Sequence, residues 1–269
     1  MSKFLNVFVF GKSGAGKQGY IDVLSDKRGL GYTPLSTGDL FRSAISYVKG
    51  RVPEDLCTDE GNKLASDKDI LKRLTAHAPD LDLQRALAGA KARYYVNAGL
   101  YAPAAMADTL FENVFVRGGC KGFVVDGYPR LVGSTQFLLQ TMKKNRVDPS
   151  KNLLVYVHNE DKIIMERALG RRVCPRCRTV YHMKARPPLY GKYCTKCPGK
   201  VPVVQRPDDT KEGVLRRLEE FRTKTLPAVQ TLAKLGHLPV CTVSGNVRPF
   251  TQESLRKELF TEMLNVVEF

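Results

Sequence analysis

The run Phe4-Leu-Asn-Val-Phe-Val-Phe10 is almost wholly apolar and ends in Gly11-Lys-Ser-Gly-Ala-Gly-Lys17. This stretch constrains the fold more than any other. A buried-type strand followed by G-x-x-x-x-G-K makes sense only if a tight glycine turn delivers the chain into a helix. The glycines let the backbone curl until several N–H groups point at one centre, and the helix N-terminus adds partial positive charge there. Lys17 would then set an ammonium on the outer phosphates of a bound ligand. The general pattern continues with Ser or Thr, facing a magnesium ion, whereas Gln18 and Gly19 follow here. An ordinary strand-to-helix turn is the competing reading.

The rest of the chain reads as a globular protein with a genuine core: 269 residues, 43% hydrophobic and 26% charged. No apolar run approaches the ~20 residues that span a bilayer. The N-terminus passes almost at once into the strand, which leaves no room for a cleavable leader, so a cytoplasmic location without membrane attachment is expected. A net charge of +16 calls for an anionic partner, either nucleic acid or phosphorylated small molecules; a merely solubilising excess is the alternative. The charge is localised, because the segment from Arg167 to Pro207 holds eleven Lys and Arg and no Asp or Glu.

After the loop, Gln18 to Lys27 is predicted as the first helix. Ser36-Thr-Gly-Asp39 is a helix-start pattern, with Arg42 one turn further on; a simple cap is the bland reading. Apolar spacing predicts helices over Asp67–Ala78, Leu83–Asn97 and Ala104–Val116, although Pro53 and Pro79 break up the region from 48 to 88. Gly122-Phe-Val-Val-Asp126-Gly-Tyr-Pro-Arg130 reads as a short strand presenting a carboxylate at a sheet's carboxyl edge. There Asp126 could orient waters around magnesium, and Arg130 could grip a phosphate with two parallel bonds. Further strands are predicted over Asn152–His158 and Leu238–Val243, with a C-terminal helix over Ser254–Leu264. Strands alternating with helices, without hairpin signals, predict an α/β fold with a mostly parallel sheet covered on both faces.

Of the seven cysteines, Cys57, Cys120 and Cys241 read as small apolar core residues. The other four, Cys174-Pro-Arg-Cys177 and Cys194-Thr-Lys-Cys197, form two C-x-x-C knuckles. Four thiolates at this spacing can wrap one tetrahedral Zn²⁺ and leave no open position, so the metal's role would be structural. Iron and a redox dithiol are the competitors. His182 reads as a packed histidine. A knuckle dense in arginine also suits nucleic acid, which is the rival reading for this segment. Asp208 and Asp209 read in part as a helix cap before the helix that carries Arg216 and Arg217.

Taken in order, these blocks resemble adenylate kinase of the nucleoside monophosphate kinase family, in its long-lid form with a zinc knuckle. They are Gly11–Lys17, Ser36–Arg42, Gly122–Arg130, Gly170–Arg172, the four cysteines with Val180–His182, Arg206–Asp209 and Arg216–Leu218. The resemblance covers nearly the whole chain outside 48–88. It implies a P-loop core over 1–36, 100–170 and 208–269, a helical acceptor-binding excursion over 37–99 with an insertion near 48–88, and a zinc-binding lid over 171–207. It also implies reversible transfer of the γ-phosphoryl of Mg·ATP to AMP, giving two ADP. By position, Gly11, Ser13, Gly14, Ala15, Gly16, Lys17, Gln18, Gly19, Arg167 and Arg171 would hold ATP. Thr37, Arg42, Gly127, Arg130, Gln136, Arg206 and Arg217 would hold AMP. Lys17, Asp126, Arg130, Arg171, Arg206 and Arg217 would serve the transfer, with Asp208 and Asp209 assisting magnesium waters and lid geometry. The expected cofactors are Mg²⁺ with ATP and structural Zn²⁺, and the expected state is a monomer without a nucleic-acid partner.

Three departures stand out. The family's Gly-Thr after the loop lysine is Gln18-Gly19, and Ser13 replaces a proline and could supply a substitute hydroxyl. The family's base-reading glutamine falls at Ser134, with Gln136 two residues on. The acceptor excursion carries about thirty additional residues, judged from the family's usual length. A kinase with another acceptor base, or a catalytically weak relative that binds nucleotide or nucleic acid, are the alternatives.

Overall fold

The computed structural model describes residues 4–26, 30–97, 102–177, 179–206, 209–247 and 251–267. Five parallel strands form the central sheet: β1 (Val7–Phe10), β2 (Thr33–Ser36), β5 (Phe123–Asp126), β6 (Leu153–His158) and β9 (Val240–Ser244). Their spatial order is β2-β5-β1-β6-β9. The central strand β1 is buried on both faces, whereas β9 at the edge alternates exposed and buried residues. Alternation along β1 divides the core in two: Val7 and Val9 face one apolar layer, Phe8 and Phe10 the other. The first layer is covered by α1 (Lys17–Ser25), α7 (Asp161–Gly170), α8 (Lys211–Glu220) and α10 (Gln252–Val267). The second is covered by α5 (Ala104–Arg117), α6 (Val132–Lys144) and α9 (Leu226–Gly236). A helix-covered parallel sheet is the expected architecture, and Cys120 and Cys241 fill these two layers as the expected small apolar residues.

Between β2 and α5 the chain leaves the sheet as α2 (Thr37–Val48), a small hairpin of β3 (Thr58–Asp59) and β4 (Lys63–Leu64), then α3 (Asp67–His77) and α4 (Leu83–Asn97). These elements close around a third apolar cluster that includes Val48, Leu56, Cys57, Ile70, Leu74 and Leu87. Gly89 permits the close crossing of α2 and α4, because a Cβ there would lie 2.2 Å from the Ala44 carbonyl oxygen. Arg93, buried in α4, donates to the carbonyls of Val52 at 3.0 Å and of Pro53, and so ties the segment after α2 onto α4.

A second excursion lies between α7 and α8. It pairs β7 (Arg171–Val173) with β8 (Val180–His182) as an antiparallel ribbon carrying the four knuckle cysteines. The helix after this ribbon is capped by Thr210, whose hydroxyl accepts from the Gly213 amide at 3.0 Å, so Asp209 is not the cap. α8 runs through one wide π-type turn, Phe221–Thr225, directly into α9. The first helix ends at Ser25, so the expected extension to Lys27 reaches outside the described residues.

Candidate functional site

Loop 11–17 closes β1 at the carboxyl edge of the sheet and opens α1. Gly11 has φ of 147°, and a Cβ there would come within 2.5 Å of the Val157 carbonyl oxygen, so only glycine lets the loop lie against β6. The Lys17 ammonium turns back over the loop and donates to the carbonyls of Gly11 at 2.8 Å and Lys12 at 3.1 Å. Burial lowers its pKa; the Asp126 carboxylate opposes that and the Arg130 guanidinium adds to it. Gln18 does not stand in for a hydroxyl. Its side chain is exposed and donates to Asp22 at 2.8 Å along α1.

Asp126 ends β5 and sits level with Val9 on β1 and Ser36 on β2. Among the described residues, its Oδ1 is buried with no hydrogen-bond partner. A buried carboxylate oxygen beside a phosphate-type loop has the donor chemistry that fits the hydration shell of magnesium.

Beyond Asp126 three predicted residues converge. The Thr37 hydroxyl donates to the Gly127 carbonyl at 3.1 Å, and Arg130 Nε donates to the same oxygen at 2.9 Å. Arg42 folds back along α2 onto Asp39, 2.6 Å from Nη2 to Oδ1, which brings its guanidinium beside Gly38. The amides at the start of α2 therefore share one corner with two guanidinium groups, an arrangement suited to an anion. Gln136 is not drawn into this corner: it is exposed on α6, and no hydrogen bond ties it to Thr37, Gly127 or Arg130. Ser134 is buried, and its carbonyl accepts from the Tyr128 hydroxyl at 3.4 Å.

The remaining arginines gather at the root of the ribbon. The side chain of Asp209 is wholly buried and takes Arg171 in a two-pronged bond, 2.7 Å from Nε and 2.5 Å from Nη2, with Arg217 Nη2 at 3.0 Å. Burial would raise the Asp209 pKa, but the two guanidinium groups outweigh it and hold the carboxyl below its ordinary value. Asp209 is thus the clamp that joins ribbon to α8, and the expected help to magnesium waters is not its arrangement here. Asp208 lies outside the described residues. Arg167 on α7 donates to the Gly245 carbonyl at 2.8 Å and to the Asn246 side chain at 3.3 Å, next to Gly16 of the loop. Arg206 is exposed just before the clamp.

One ionic junction carried no motif. Lys12 within the loop meets Asp161 Oδ1 at 2.5 Å, and the other oxygen takes Arg222 from the π-type turn. Lys12 and Asp161 are 149 residues apart, so nothing local announces the pair. Hydrogen bonding from Lys12, despite some burial and with Arg222 adding, keeps the Asp161 carboxyl below its ordinary pKa.

In the ribbon the four cysteine Sγ atoms lie within 4.8 Å of one another, with Cys174–Cys197 at 3.8 Å and Cys177–Cys194 at 3.5 Å. Tetrahedral zinc with bonds of about 2.3 Å needs sulfurs about 3.8 Å apart, so the set fits one such ion. Tyr181 approaches Cys194 Sγ through its hydroxyl at 3.2 Å, and the Lys196 amide points at the same sulfur from 3.3 Å. Although burial resists it, these donors bring the Cys194 thiol down to about 6, while crowding by Cys177 and burial push Cys197 up to about 12. A dication would let all four ionise together. His182 is packed as expected: its Nδ1 accepts from the amides of Lys184 and Ala185 at 3.2 and 3.1 Å.

A family model described as adenylate kinase, active site lid, matches residues 171–208. Curated adenylate kinases align along most of the chain. That of Clostridium novyi (strain NT) is 30% identical over 226 residues, covering 84% of this chain and 85% of its own. That of Ruminiclostridium cellulolyticum is 28% identical over 244 residues, 90% of this chain and 94% of its own. Over 159 residues, identity to the Thermoanaerobacter pseudethanolicus protein reaches 33%, covering 59% of this chain and 70% of its own.

Proposed function

The chain belongs to the adenylate kinase family, and from that premise we propose that it moves the γ-phosphoryl of Mg·ATP onto AMP, giving two ADP, in both directions. The observation that carries this reading is the position of the Asp126–Arg130 segment. Across β1 it faces the loop with Lys17, across β2 it faces Thr37, and both Asp126 and Arg130 are close enough to act on the Lys17 charge. A donor triphosphate on the loop and an acceptor monophosphate at the Thr37–Arg42–Arg130 corner would share that edge.

Phosphoryl transfer through a loose transition state asks the protein for alignment and fixed positive charge rather than covalent chemistry. Lys17 would exchange the Gly11 and Lys12 carbonyls for donor phosphate oxygens. Arg42 and Arg130 would release Asp39 and the Gly127 carbonyl to grip the acceptor. Magnesium bound with ATP, its waters held by Asp126, would supply further neutralisation of the phosphate oxygens. Arg167, set between the loop and residues 245–246, would lie against the adenine of the donor. Arg171 and Arg217, held together by Asp209, and Arg206 beside them would complete the positive cage as residues 171–207 close and exclude water. The four thiolates would hold one structural zinc that keeps this lid folded.

The test is ADP formation from ATP with AMP, CMP, UMP and GMP as acceptors. AMP is expected to be the preferred substrate. No ADP above the ATP-only background with any acceptor would refute kinase activity, and preference for another monophosphate would reassign the acceptor. The exposed position of Gln136 makes this second comparison specific.

A further inference from the structure

We propose that the outer surface of the ribbon at 171–206 docks single-stranded nucleic acid, independently of the nucleotide site. The observation behind it is a set of exposed cations on a segment that holds no acidic residue. Elsewhere in the molecule acidic residues are interspersed with the cations and some pair with them, as in Arg42 with Asp39, Arg51 with Asp80 and Arg73 with Asp59, while others, such as Lys68 and Lys144, stand exposed with no carboxylate partner among the described residues. On the ribbon, Arg176, Lys184, Arg186, Lys192, Lys196 and Lys200 are all exposed, and among the described residues none is paired with a carboxylate. No Asp or Glu exists in this segment to pair with them. A zinc held by four thiolates has an excess of two negative charges, which offsets only a small part of this set.

These cations are spread over a fixed frame. Arg176, from the first knuckle, donates to the Pro198 carbonyl at 3.2 Å and so stands beside the turn carrying Lys196 and Lys200. The Lys192 carbonyl accepts from Val203 at 2.9 Å, which places Lys192 on the strand-like stretch leading to the same knuckle. Like charges held this close repel one another unless an external polyanion, or salt, intervenes.

The aromatic content of the surface selects the kind of polyanion. Tyr190 is 83% exposed at the tip of a turn, and this turn is closed by two backbone bonds between Leu189 and Tyr193 of 2.8 and 2.9 Å. Leu189 is also exposed, and Lys192 lies over the Tyr193 ring at 5.7 Å. A solvent-facing ring on a closed turn of a basic segment is a stacking platform for an unpaired base; the bases of a duplex are already stacked on one another. The proposal runs against the expectation of no nucleic-acid partner and takes up the rival reading of the arginine-rich knuckle.

The experiment uses the full-length, zinc-loaded protein and a fluorescein-labelled oligouridylate, chosen to avoid adenine. Binding is expected at low salt, weakening as salt rises with a log–log slope of about −0.7 for each phosphate contacted. Saturating Mg·ATP with AMP should leave it bound. The combined variant Lys184→Glu, Lys192→Glu and Lys200→Glu should weaken binding by at least about tenfold while ADP formation is unchanged. Tyr190→Ala should weaken it by roughly tenfold by removing the stacking face. The proposal is overturned by any of four results: no binding at low salt, displacement by ATP, equal affinity of the triple variant, or capture of phosphatidylserine vesicles in place of the oligonucleotide.

Discussion

The two excursions from the sheet, residues 49–82 and 171–207, are of similar length and solve the same problem in opposite ways. Neither segment can enclose a large core of its own. The first borrows one: its apolar residues merge with α2 and α4 into a cluster around Ile70 and Leu74, and Arg93 fastens it by two backbone carbonyls. Ion pairs such as Arg73–Asp59 and Lys91–Asp67 lace its surface. The second shares almost nothing with the sheet. Its buried cluster is Cys174, Tyr181 and Cys194, with Cys197, Val201 and Val203 packed beside them. Apolar sharing welds an excursion to the body; cross-linking by a metal lets an excursion keep its shape while hinging. That difference suits one segment to supporting the acceptor corner and the other to closing as a lid.

The sharpest way to break the comparison is to remove the metal site. Cys174→Ser should release about one zinc per chain, seen by elemental analysis, and abolish most ADP formation, since such sites contribute folding free energy outright. Hydrogen exchange in α3 and α4 should be unaffected. Loss of protection there as well would mean the two excursions are not independent.

Next in size is the clamp. Asp209→Ala strands two guanidinium groups, and about 3–5 kcal/mol should be lost in chemical denaturation. Because the folded-state pKa of Asp209 is depressed, its stabilisation is present above the ordinary carboxylate range and disappears as pH falls through the lower folded value. The wild type should therefore lose stability in that acid window more steeply than Asp209→Asn.

The apolar excursion should respond in its own way. Leu74→Ala, at a position with no exposure, should cost about 2–4 kcal/mol with zinc content unchanged. Smallest of all, Asp161→Asn should raise the KM for ATP by roughly twofold with the KM for AMP unaltered, as befits a partly exposed ion pair that steadies the loop through Lys12. Equal changes in both constants would show that the junction acts on the whole protein rather than on the donor loop.

Much of this was legible because it is written at short range. The loop 11–17, the apolar strands, the Asp126–Arg130 turn and the thiol knuckles are each set by spacing within a few residues, and glycine and thiolate chemistry admit few alternatives. The helices at 67–77 and 83–97 were likewise visible in their apolar period, although the cluster that unites them with α2 was not. The aspartates at 208 and 209 show where such reading stops. Sequence read them in part as a cap, but Thr210 takes the amide and Asp209 turns inward to two arginines, while Asp208 lies outside the described residues. Gln136 resembled a base reader by proximity in the chain, yet α6 presents it to solvent.

The sequence by itself determined the phosphate loop, the parallel α/β order, the four-thiolate set and the inventory of arginines. Only the tertiary structure decided how those charges are paired: Asp209 with Arg171 and Arg217, and Lys12 with Asp161 and Arg222, while Arg176, Lys184, Arg186, Lys192, Lys196 and Lys200 have no carboxylate partner among the described residues. The reason is physical. A motif depends on backbone geometry over a turn or two, whereas a charge takes whichever partner the packing of distant elements brings within about 4 Å.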